Sequence, residues 1–481
     1  MLEPKACYKA LLARDARWDG RFFTAVSTTR IYCRPVCPAP PPKFTNVRFY
    51  AVAAAAAAAG YRPCRRCRPE TAPGSPAWNG TSATVARALR LIASGAGDES
   101  GVEGLAAQLG LGARQVRRLF DRHVGATPVA VAQTRRVHFA KRLLDETTLP
   151  VTEVAWAAGF RSLRRFNSVF KETFDMAPSA MRRGRVGAGT GDTSNISLKL
   201  AFRPPFDWQG LVAFLAARAI PGVERVTAET YARTVRLGDV TGVVSVRRVL
   251  GGSHVVLAAP AEFAPVLLDV VGRVRRVFDL DADPAAIADA LGEDELLSPV
   301  FAKRPGLRVP GAWDVWELAV RAILGQQVSV AGACTMLGRL VAAHGETLAG
   351  PAALLTHVFP GPERLAAARL EEIGLTGRRA ETVRELARRV ARGERLLSPS
   401  PTLEEAIARL VAVPGIGPWT AQYIAMRALA EPDAFPAGDL WLRRAVAQGG
   451  EDWPERRLRE RAEAWRPWRA YAALALWSTL T

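Results

Sequence analysis

Two close pairs of cysteines constrain this chain more than any other feature of its sequence. Cys33 and Cys37 are separated by three residues, and Cys64 and Cys67 by two. Two such pairs joined by a loop can place four thiolates at the corners of a tetrahedron around zinc. We therefore expect one Zn²⁺ here, which holds this segment together and keeps its thiolates deprotonated at neutral pH. The alternative is four incidental thiols or two disulfides.

The chain also has the length and charge of a multidomain protein with a polyanionic partner. Its 481 residues exceed the usual size of one domain, and its formal net charge is +19. Such an excess of Lys and Arg favours binding to phosphates, because counterions are released when the phosphates are neutralised. An anionic membrane surface is the alternative partner. No apolar stretch is long enough to span a bilayer, and residues 1–30 lack a signal-peptide pattern, so we expect a cytoplasmic protein without a membrane partner.

The residues around the cysteines carry a family resemblance. The segments 23–37, 46–50 and 60–67 resemble the N-terminal module of the Ada methyl-response family. This resemblance implies that Cys33 accepts a methyl group from a methylphosphotriester in DNA and that the other three cysteines complete the zinc site. A methylated thiolate becomes a neutral thioether, so the charge of the cluster changes from about −2 to about −1 and repels DNA less. The alternative is a zinc ion that only stabilises the fold.

A pattern of small and apolar residues recurs in the next part of the chain. Phe120 and Phe170, fifty residues apart, are each followed by a proline eight residues later. An internal repeat of this kind predicts two linked helix-turn-helix units, with recognition helices at about 113–123 and 162–173. The alternative is a basic helical bundle that binds phosphate without sequence preference.

This repeated segment resembles the DNA-binding domain of AraC-type regulators. The resemblance implies sequence-specific reading of promoter DNA from the major groove, and it makes RNA polymerase a candidate partner. The side chains expected to contact DNA are Arg114, Arg117, Arg118, Arg164, Arg165 and Asn167.

A Gly-x-Gly hairpin is the most specific motif in the second half of the chain. Gly415 and Gly417 lie where backbone N–H groups at the start of a helix can bind a phosphate. Together with Asp439, about twenty residues later, this hairpin resembles the helix-hairpin-helix DNA glycosylase superfamily. The segments 321–330 and 465–477 narrow the resemblance to the AlkA-type 3-methyladenine glycosylases.

The glycosylase resemblance implies a small set of working residues. Asp439 would stabilise an oxocarbenium-like sugar and help a water molecule attack it. The flipped base would lie against aromatic rings, while Gln326, Gln327 and the hairpin would contact DNA. The expected base-pocket residues are Trp419, Tyr423 and Trp477. The alternatives are a helix cap for Asp439 and ordinary core packing for the three aromatic residues.

Two absences refine the expected chemistry. Family members that also cleave the DNA strand carry a lysine at the position of Trp419, so we expect a monofunctional enzyme. No cysteine follows Cys334, so we expect no iron–sulfur cluster, and nothing in the sequence predicts an organic cofactor. The chain departs from the family at two positions. Gln327 replaces a leucine that a relative inserts into the duplex, and Leu440 replaces an aromatic residue that the family has beside the aspartate.

We therefore predict a multidomain, mainly α-helical protein with α+β parts. The expected domains are a small zinc-bound α+β module at 1–76, an all-α double helix-turn-helix domain at 80–184, an α+β sheet layer at 195–283 and an all-α helix-hairpin-helix glycosylase domain at 284–481, with linkers at 71–77 and 183–195. The expected partner is double-stranded DNA, both damaged and promoter DNA, in a bacterial, nucleoid-associated protein. The alternative is a methylation-responsive transcription factor whose glycosylase-like half only binds DNA.

Overall fold

The computed structural model describes residues 3–74, 83–93, 95, 101–183, 194–348, 354–375, 377–447 and 450–479. The chain forms two compact units. Unit 1 comprises Met1–Pro204, Val249–Arg275 and Leu280–Ala282, and unit 2 comprises Pro205–Arg248, Arg276–Asp279 and Asp283–Thr481. Residues 75–77 of the first predicted linker and 184–193 of the second lie outside the described residues.

Helices dominate both units, which confirms the predicted mainly α-helical class with α+β parts. The helices are α1 (Pro4–Ala13), α2 (Ala53–Ala58), α3 (Ala83–Ala93), α4 (Gly101–Gln108), α5 (Ala113–His123), α6 (Pro128–Glu146), α7 (Val151–Ala157), α8 (Leu163–Phe174), α9 (Pro178–Arg183), α10 (Trp208–Ala216), α11 (Leu267–Val277), α12 (Pro284–Leu291), α13 (Ser298–Lys303), α14 (Val315–Leu324), α15 (Val330–His344), α16 (Pro362–Ala366), α17 (Gly377–Ala391), α18 (Leu403–Val411), α19 (Pro418–Arg427), α20 (Leu440–Ala447), α21 (Glu455–Ala462) and α22 (Arg469–Trp477). Among the described residues, none of these helices combines the length and the apolar character needed to cross a bilayer.

Most of the strands are shorter than the helices. They are β1 (Phe23–Val26), β2 (Ile31–Cys33), β3 (Val47–Tyr50), β4 (Arg62–Pro63), β5 (Asn195–Ala201), β6 (Glu224–Val226), β7 (Thr230–Leu237), β8 (Val240–Arg248), β9 (His254–Pro260), β10 (Glu346–Thr347) and β11 (His357–Val358). The two-residue antiparallel ladder of β10 and β11 is a small departure from the all-α prediction for residues 284–481.

The cysteine-bearing part of unit 1 is a four-stranded sheet covered by a short helix. The strand order is β3-β1-β2-β4, with β1 antiparallel to both β2 and β3, and β4 parallel to β2. Helix α2 is the alanine run of the sequence, and its small side chains let it pack closely on the sheet. The core between this helix and the sheet consists of Phe23, Ala25, Tyr32, Ala56 and Tyr61.

The repeated segment of unit 1 folds as two helix-turn-helix units joined by the long helix α6. The helices predicted at about 113–123 and 162–173 are confirmed as α5 and α8, within one residue of the expected bounds. Gly110 and Gly159 occupy equivalent turns with φ of 63° and 78°, a backbone conformation that glycine adopts without steric cost. Each recognition helix buries one apolar stripe, formed by Val116 and Phe120 in α5 and by Phe166 and Phe170 in α8.

The remaining part of unit 1 contains the antiparallel pair β5–β9, in which Asn195 pairs with Pro260. Alternate residues of β5 are buried, as its sequence pattern predicts. The apolar spacing of residues 262–278 predicts one helix, but the segment begins as a 3₁₀ turn at Ala261–Val266, which is followed by α11. Pro265 lies inside this turn and has no backbone N–H to donate, which disfavours a regular α-helix at this point.

Unit 2 combines the antiparallel ladder β6-β7-β8 with a helical body. One apolar core of this unit draws on α14, α15, α17, α18 and α19. A buried ionic network ties the sheet to α14. Glu317 in α14 accepts from Arg233 in β7 at 2.7 Å and from Arg321, one helical turn later, at 2.5 Å. Arg321 also contacts Glu224 in β6 at 2.6 Å.

We expect Glu317→Gln to destabilise unit 2 by about 3–5 kcal/mol, because it leaves Arg233 buried without its full counter-charge. Burial alone would raise the pKa of Glu317, but Arg233 and Arg321 hold it well below its ordinary value. The carboxylate therefore stabilises the fold above about pH 4.5, and this contribution falls as the pH drops below that value. Chemical denaturation of both proteins at several pH values measures the effect. An unchanged free energy of unfolding at pH 7 would contradict it.

Candidate functional site

Strand pairing brings the two halves of the cysteine cluster together. Tyr32 in β2 is the register partner of Pro63 in the parallel strand β4. The next residue along each strand is a cysteine, so Cys33 and Cys64 leave the sheet side by side. The backbone N–H of Cys64 donates to the carbonyl oxygen of Tyr32 at 3.0 Å and fixes this register. Two separate loops of the sequence thereby meet at one point.

The four Sγ atoms lie within 4.8 Å of one another. A tetrahedral site with Zn–S bonds of about 2.3 Å has S–S edges of about 3.8 Å, so the spacing and the donor set fit one zinc ion. Backbone N–H groups support the cluster, with Arg34 donating to Cys67 Sγ at 3.3 Å and Arg66 donating to Cys64 Sγ at 3.4 Å. All four cysteines are free of disulfides. The structure thus favours the metal site over the disulfide alternative.

The four cysteines differ in accessibility. Cys37, Cys64 and Cys67 are buried, whereas Cys33 is only partly covered. Cys33, Cys37 and Cys64 line a cleft of about 960 Å³ that is open to solvent and bordered by basic side chains. These cationic residues are Arg14, Arg62, Arg65 and Arg66. An anionic ligand can therefore approach Cys33 more readily than the other three thiols.

Buried polar contacts join the cysteine module to helix α6 within unit 1. The Tyr32 hydroxyl is 2.9 Å from Nε2 of His138, and burial lowers the pKa of this histidine to about 4, so its ring is neutral near pH 7. Lys141 forms a buried ion pair with Asp145 at 2.9 Å and contacts Glu70. These partners could not be predicted from local sequence patterns, because His138 lies 106 residues from Tyr32.

The predicted DNA-reading side chains all project from the outer faces of the two recognition helices. All six are exposed, opposite the buried apolar stripes. Two of them have polar partners in the structure: Arg117 pairs with Glu103 at 3.1 Å, and Arg165 donates to Gln133 Oε1 at 3.1 Å. Ser162 caps α8 by accepting from the backbone N–H of Arg165. The geometry therefore presents two basic helix faces to solvent.

In unit 2, Asp439 lies at the centre of an aromatic cluster. Its Oδ2 accepts from Trp419 Nε1 at 2.8 Å, and its Oδ1 accepts from Trp477 Nε1 at 3.0 Å. Oδ1 also accepts from the backbone N–H of Leu442 at 3.0 Å, so Asp439 caps α20 as well. Asp439 as a residue is 8% exposed. The helix-cap alternative is thus part of the observed geometry, together with contacts that a cap does not need.

The three aromatic residues pack on one another. The Trp419 and Tyr423 rings are stacked with centroids 5.3 Å apart, and Trp477 meets Tyr423 edge-on at 6.2 Å. Arg427, one turn after Tyr423 on α19, donates to the tyrosine hydroxyl at 2.8 Å. Burial raises the pKa of Tyr423, but Arg427 and Arg218 outweigh it and lower the pKa overall. The sequence-based predictions did not include Arg427, although its i, i+4 spacing from Tyr423 indicates that the two side chains can meet on one helix face.

The hairpin between α18 and α19 adopts a conformation that requires glycine at one position. Gly415 has a φ of 92°, and a Cβ there would lie 1.9 Å from Thr382 Oγ1. At Gly417 a Cβ would meet nothing within 4 Å. Gln326 Nε2 donates to the carbonyl oxygen of Gly415 and to Thr420 Oγ1, both at 3.0 Å. Gln327 is exposed at the adjacent loop with a φ of 55°.

Four families match successive parts of the chain. They are the metal binding domain of Ada over residues 6–70, a helix-turn-helix domain over 105–184, the AlkA N-terminal domain over 197–314 and the HhH-GPD superfamily base excision DNA repair protein over 320–470. The fold and the sites thus define a class of multidomain protein that combines an Ada-type zinc site, a DNA-binding helix-turn-helix domain and a base-excision repair fold.

A relative from Mycobacterium tuberculosis, described as a probable bifunctional transcriptional activator/DNA repair enzyme AlkA, is 45% identical over 98% of this chain and 96% of its own length. The chain belongs to this family of bifunctional activator and repair proteins. DNA-3-methyladenine glycosylase 2 of Escherichia coli is 36% identical over 58% of this chain and 96% of its own length. The fold of the same part is similar to that of a solved 3-methyladenine DNA-glycosylase from Archaeoglobus fulgidus, with a TM-score of 0.52, 23% identity and coverage of 58% of this chain and 97% of that one.

Proposed function

We propose that this protein repairs alkylated DNA as a monofunctional DNA glycosylase that hydrolyses the N-glycosidic bond of purines such as 3-methyladenine. The proposal is based mainly on the environment of the Asp439 carboxylate. It accepts hydrogen bonds from the indole N–H groups of Trp419 and Trp477, which pack with Tyr423 in one aromatic cluster. A carboxylate in this position suits a sugar that becomes positively charged, and the rings suit a flipped base. The E. coli relative with a 3-methyladenine glycosylase name supports the same substrate class.

The reaction needs one carboxylate and one water molecule. The bond between C1′ and the base nitrogen breaks, and the bonding electrons leave with the N-methylated purine, whose positive charge is thereby cancelled. Asp439 stabilises the remaining oxocarbenium-like sugar through its negative charge. Water then adds at C1′ and loses a proton, which leaves an abasic site and a free base. Because the base leaves without prior protonation, the pocket needs no strong general acid.

The proposed enzyme leaves the DNA strand intact. Trp419 offers no amine to form a Schiff base with the sugar, so strand cleavage by that route is not expected. A duplex with one alkylated purine, incubated with the full chain, tests this directly when half the product is treated with hot alkali. We expect breakage only in the alkali-treated half. Breakage in both halves would overturn the monofunctional assignment, and breakage in neither would overturn the glycosylase assignment.

The hairpin at 415–417, with Gln326 and Gln327 on the neighbouring loop, is the proposed DNA anchor of the glycosylase. We expect Gly417→Ala to leave the melting temperature unchanged, because the added Cβ meets no protein atom and the backbone has a φ of −87°. It should still lower DNA affinity about tenfold, because a methyl group separates the backbone from a phosphate. Thermal melting and DNA titration measure the two effects.

Two outcomes check the specificity of this prediction. Gly415→Ala is the matched variant, and it should lower the melting temperature as well, because its Cβ collides with Thr382. Unchanged DNA affinity in Gly417→Ala would show that the hairpin does not contact the phosphate backbone.

The cysteine cluster is the proposed acceptor of methyl groups from phosphotriesters. The Cys33 thiolate attacks the methyl carbon, so an S–C bond forms as the C–O bond to phosphate breaks, and the electron pair of that bond stays on the phosphate oxygen. Zinc, when bound, keeps the four thiols ionised at neutral pH. The partial exposure of Cys33 supports its choice over Cys37, Cys64 and Cys67, which are buried.

The double helix-turn-helix segment supplies the proposed regulatory activity. The exposed arginines of α5 and α8, with Asn167, are placed for hydrogen bonds to base edges in the major groove. A methylated Cys33 would raise DNA affinity and turn damage into a transcriptional signal, with RNA polymerase as the proposed partner and the nucleoid as the proposed location. We propose that the four domains predicted from the sequence, 1–76, 80–184, 195–283 and 284–481, act as working units. The matched AlkA N-terminal family extends to residue 314, past the boundary expected at 283.

A further inference from the structure

Two consecutive exposed apolar side chains follow Asp439 on α20. Leu440 is 43% exposed and Trp441 is 56% exposed. Within the described parts of the chain, they are the only neighbouring large apolar side chains that are both exposed. A tryptophan usually buries most of its ring in a folded monomer, so one left in water beside a candidate active site indicates a contact made with a ligand.

A cation accompanies this ring. The Arg444 guanidinium lies 5.4 Å from the Trp441 ring centroid, one turn along the same helix. Its nearest acidic partner is Asp452, with Nε and Oδ2 3.5 Å apart and both side chains partly exposed. An ion pair of this kind contributes about 0–1 kcal/mol, so Arg444 can exchange it for a phosphate at little cost. An aromatic face next to a guanidinium is the chemistry that binds a nucleotide by stacking and by charge.

The position of Asp439 limits what this pair can contact. If its carboxylate meets the sugar of the flipped nucleotide, Trp441 follows only two residues later, and consecutive Cα atoms are about 3.8 Å apart. One DNA strand rises about 3.4 Å per nucleotide. The Trp441 ring would therefore lie within about two nucleotides of the damage. Leu442 and Val446 are buried on the opposite face of α20, which leaves the ring directed away from the core.

We propose that Trp441 and Arg444 form a second contact with the damaged strand. The Trp441 ring packs against the nucleotide that flanks the flipped one, and Arg444 binds the phosphate of this flanking nucleotide. This inference rests on the proposed glycosylase function. It makes Trp441 a positioning residue that keeps the flipped nucleotide in register with Asp439. It also assigns an occupant to the exposed apolar surface of α20, namely duplex DNA around an extruded nucleotide.

Binding of a duplex with a stable abasic-site analogue tests the proposal without requiring base excision. The full chain is titrated with this duplex and with the undamaged duplex of the same sequence, because the ratio of the two Kd values removes the contribution of the other DNA-binding segments. We expect Trp441→Ala to lower this preference for the abasic duplex about tenfold, with Trp441→Phe retaining most of it. Arg444→Gln should lower the salt dependence of binding by about one phosphate contact, whereas Trp441→Ala should leave it unchanged.

The matched control is Leu354→Ala, which removes another exposed apolar side chain of unit 2. It should keep the preference of the wild type, and the melting temperature should be the same for all the variants. A Trp441→Ala protein that prefers the abasic duplex as strongly as the wild type overturns the inference, even if the wild type releases alkylated bases normally. If the wild type forms a dimer that Trp441→Ala abolishes, while the DNA preference stays intact, the surface binds a second copy of the chain. This result would also overturn the inference.

Discussion

Asp439→Asn is expected to reduce the release of alkylated purines by about 10³-fold, because a neutral amide cannot stabilise the positive charge that develops on the sugar. The asparagine still provides an oxygen to accept from the backbone N–H of Leu442, and Asn is as good a helix cap as Asp. The fold and the DNA affinity should therefore survive. Base release under single-turnover conditions, together with a DNA titration, measures the two properties separately.

The control for this variant is a substitution that removes a carboxylate away from the aromatic cluster. Asp239→Asn removes one negative charge at the exposed turn between β7 and β8, and it should excise bases at the wild-type rate. If Asp439→Asn also excised at the wild-type rate, Asp439 would be only a helix cap, and the chemistry would have to be assigned to another group.

The second large effect is expected at the cysteine cluster. Incubation with DNA that carries methylphosphotriesters should add one methyl group to Cys33 and none to the other cysteines, because the other three zinc ligands are buried. Loss of one negative charge from the cluster should raise DNA affinity by about tenfold at low salt. Mass spectrometry of the peptide containing Cys33 and titration of the methylated protein check both parts.

Cys33→Ala and Cys334→Ala form the matched pair for this experiment. Cys33→Ala should accept no methyl group but retain zinc, since three protein ligands and a water molecule suffice to hold the ion. Cys334→Ala changes a cysteine of α15 in unit 2 and should behave as the wild type. An unmodified Cys33 after exposure to methylated DNA would leave the cluster with a structural role alone.

Local sequence patterns predicted the elements of this protein well. The recognition helices α5 and α8 were predictable because apolar residues at helical spacing and a glycine in the turn are local properties of the chain. Strand β5 was predictable from its alternation. The grouping of Cys33, Cys37, Cys64 and Cys67 followed from their pairwise spacing and the donor preference of zinc.

Contacts between distant segments could not be predicted in this way. Sequence alone does not indicate that His138 meets Tyr32, or that Glu317 is buried between arginines from a strand and from its own helix. These partners depend on how separate elements pack. Trp441 gave no sequence signal either, because tryptophan is most often buried and only the structure reveals its exposure.

The most direct test of the central claim is the amount of 3-methyladenine that each molecule of the wild-type chain releases from methylated duplex DNA. We expect more than one free base per protein molecule, because a catalyst turns over. Failure to release any base from alkylated duplexes would contradict this expectation, and would leave unit 2 as a module that binds DNA without acting on it.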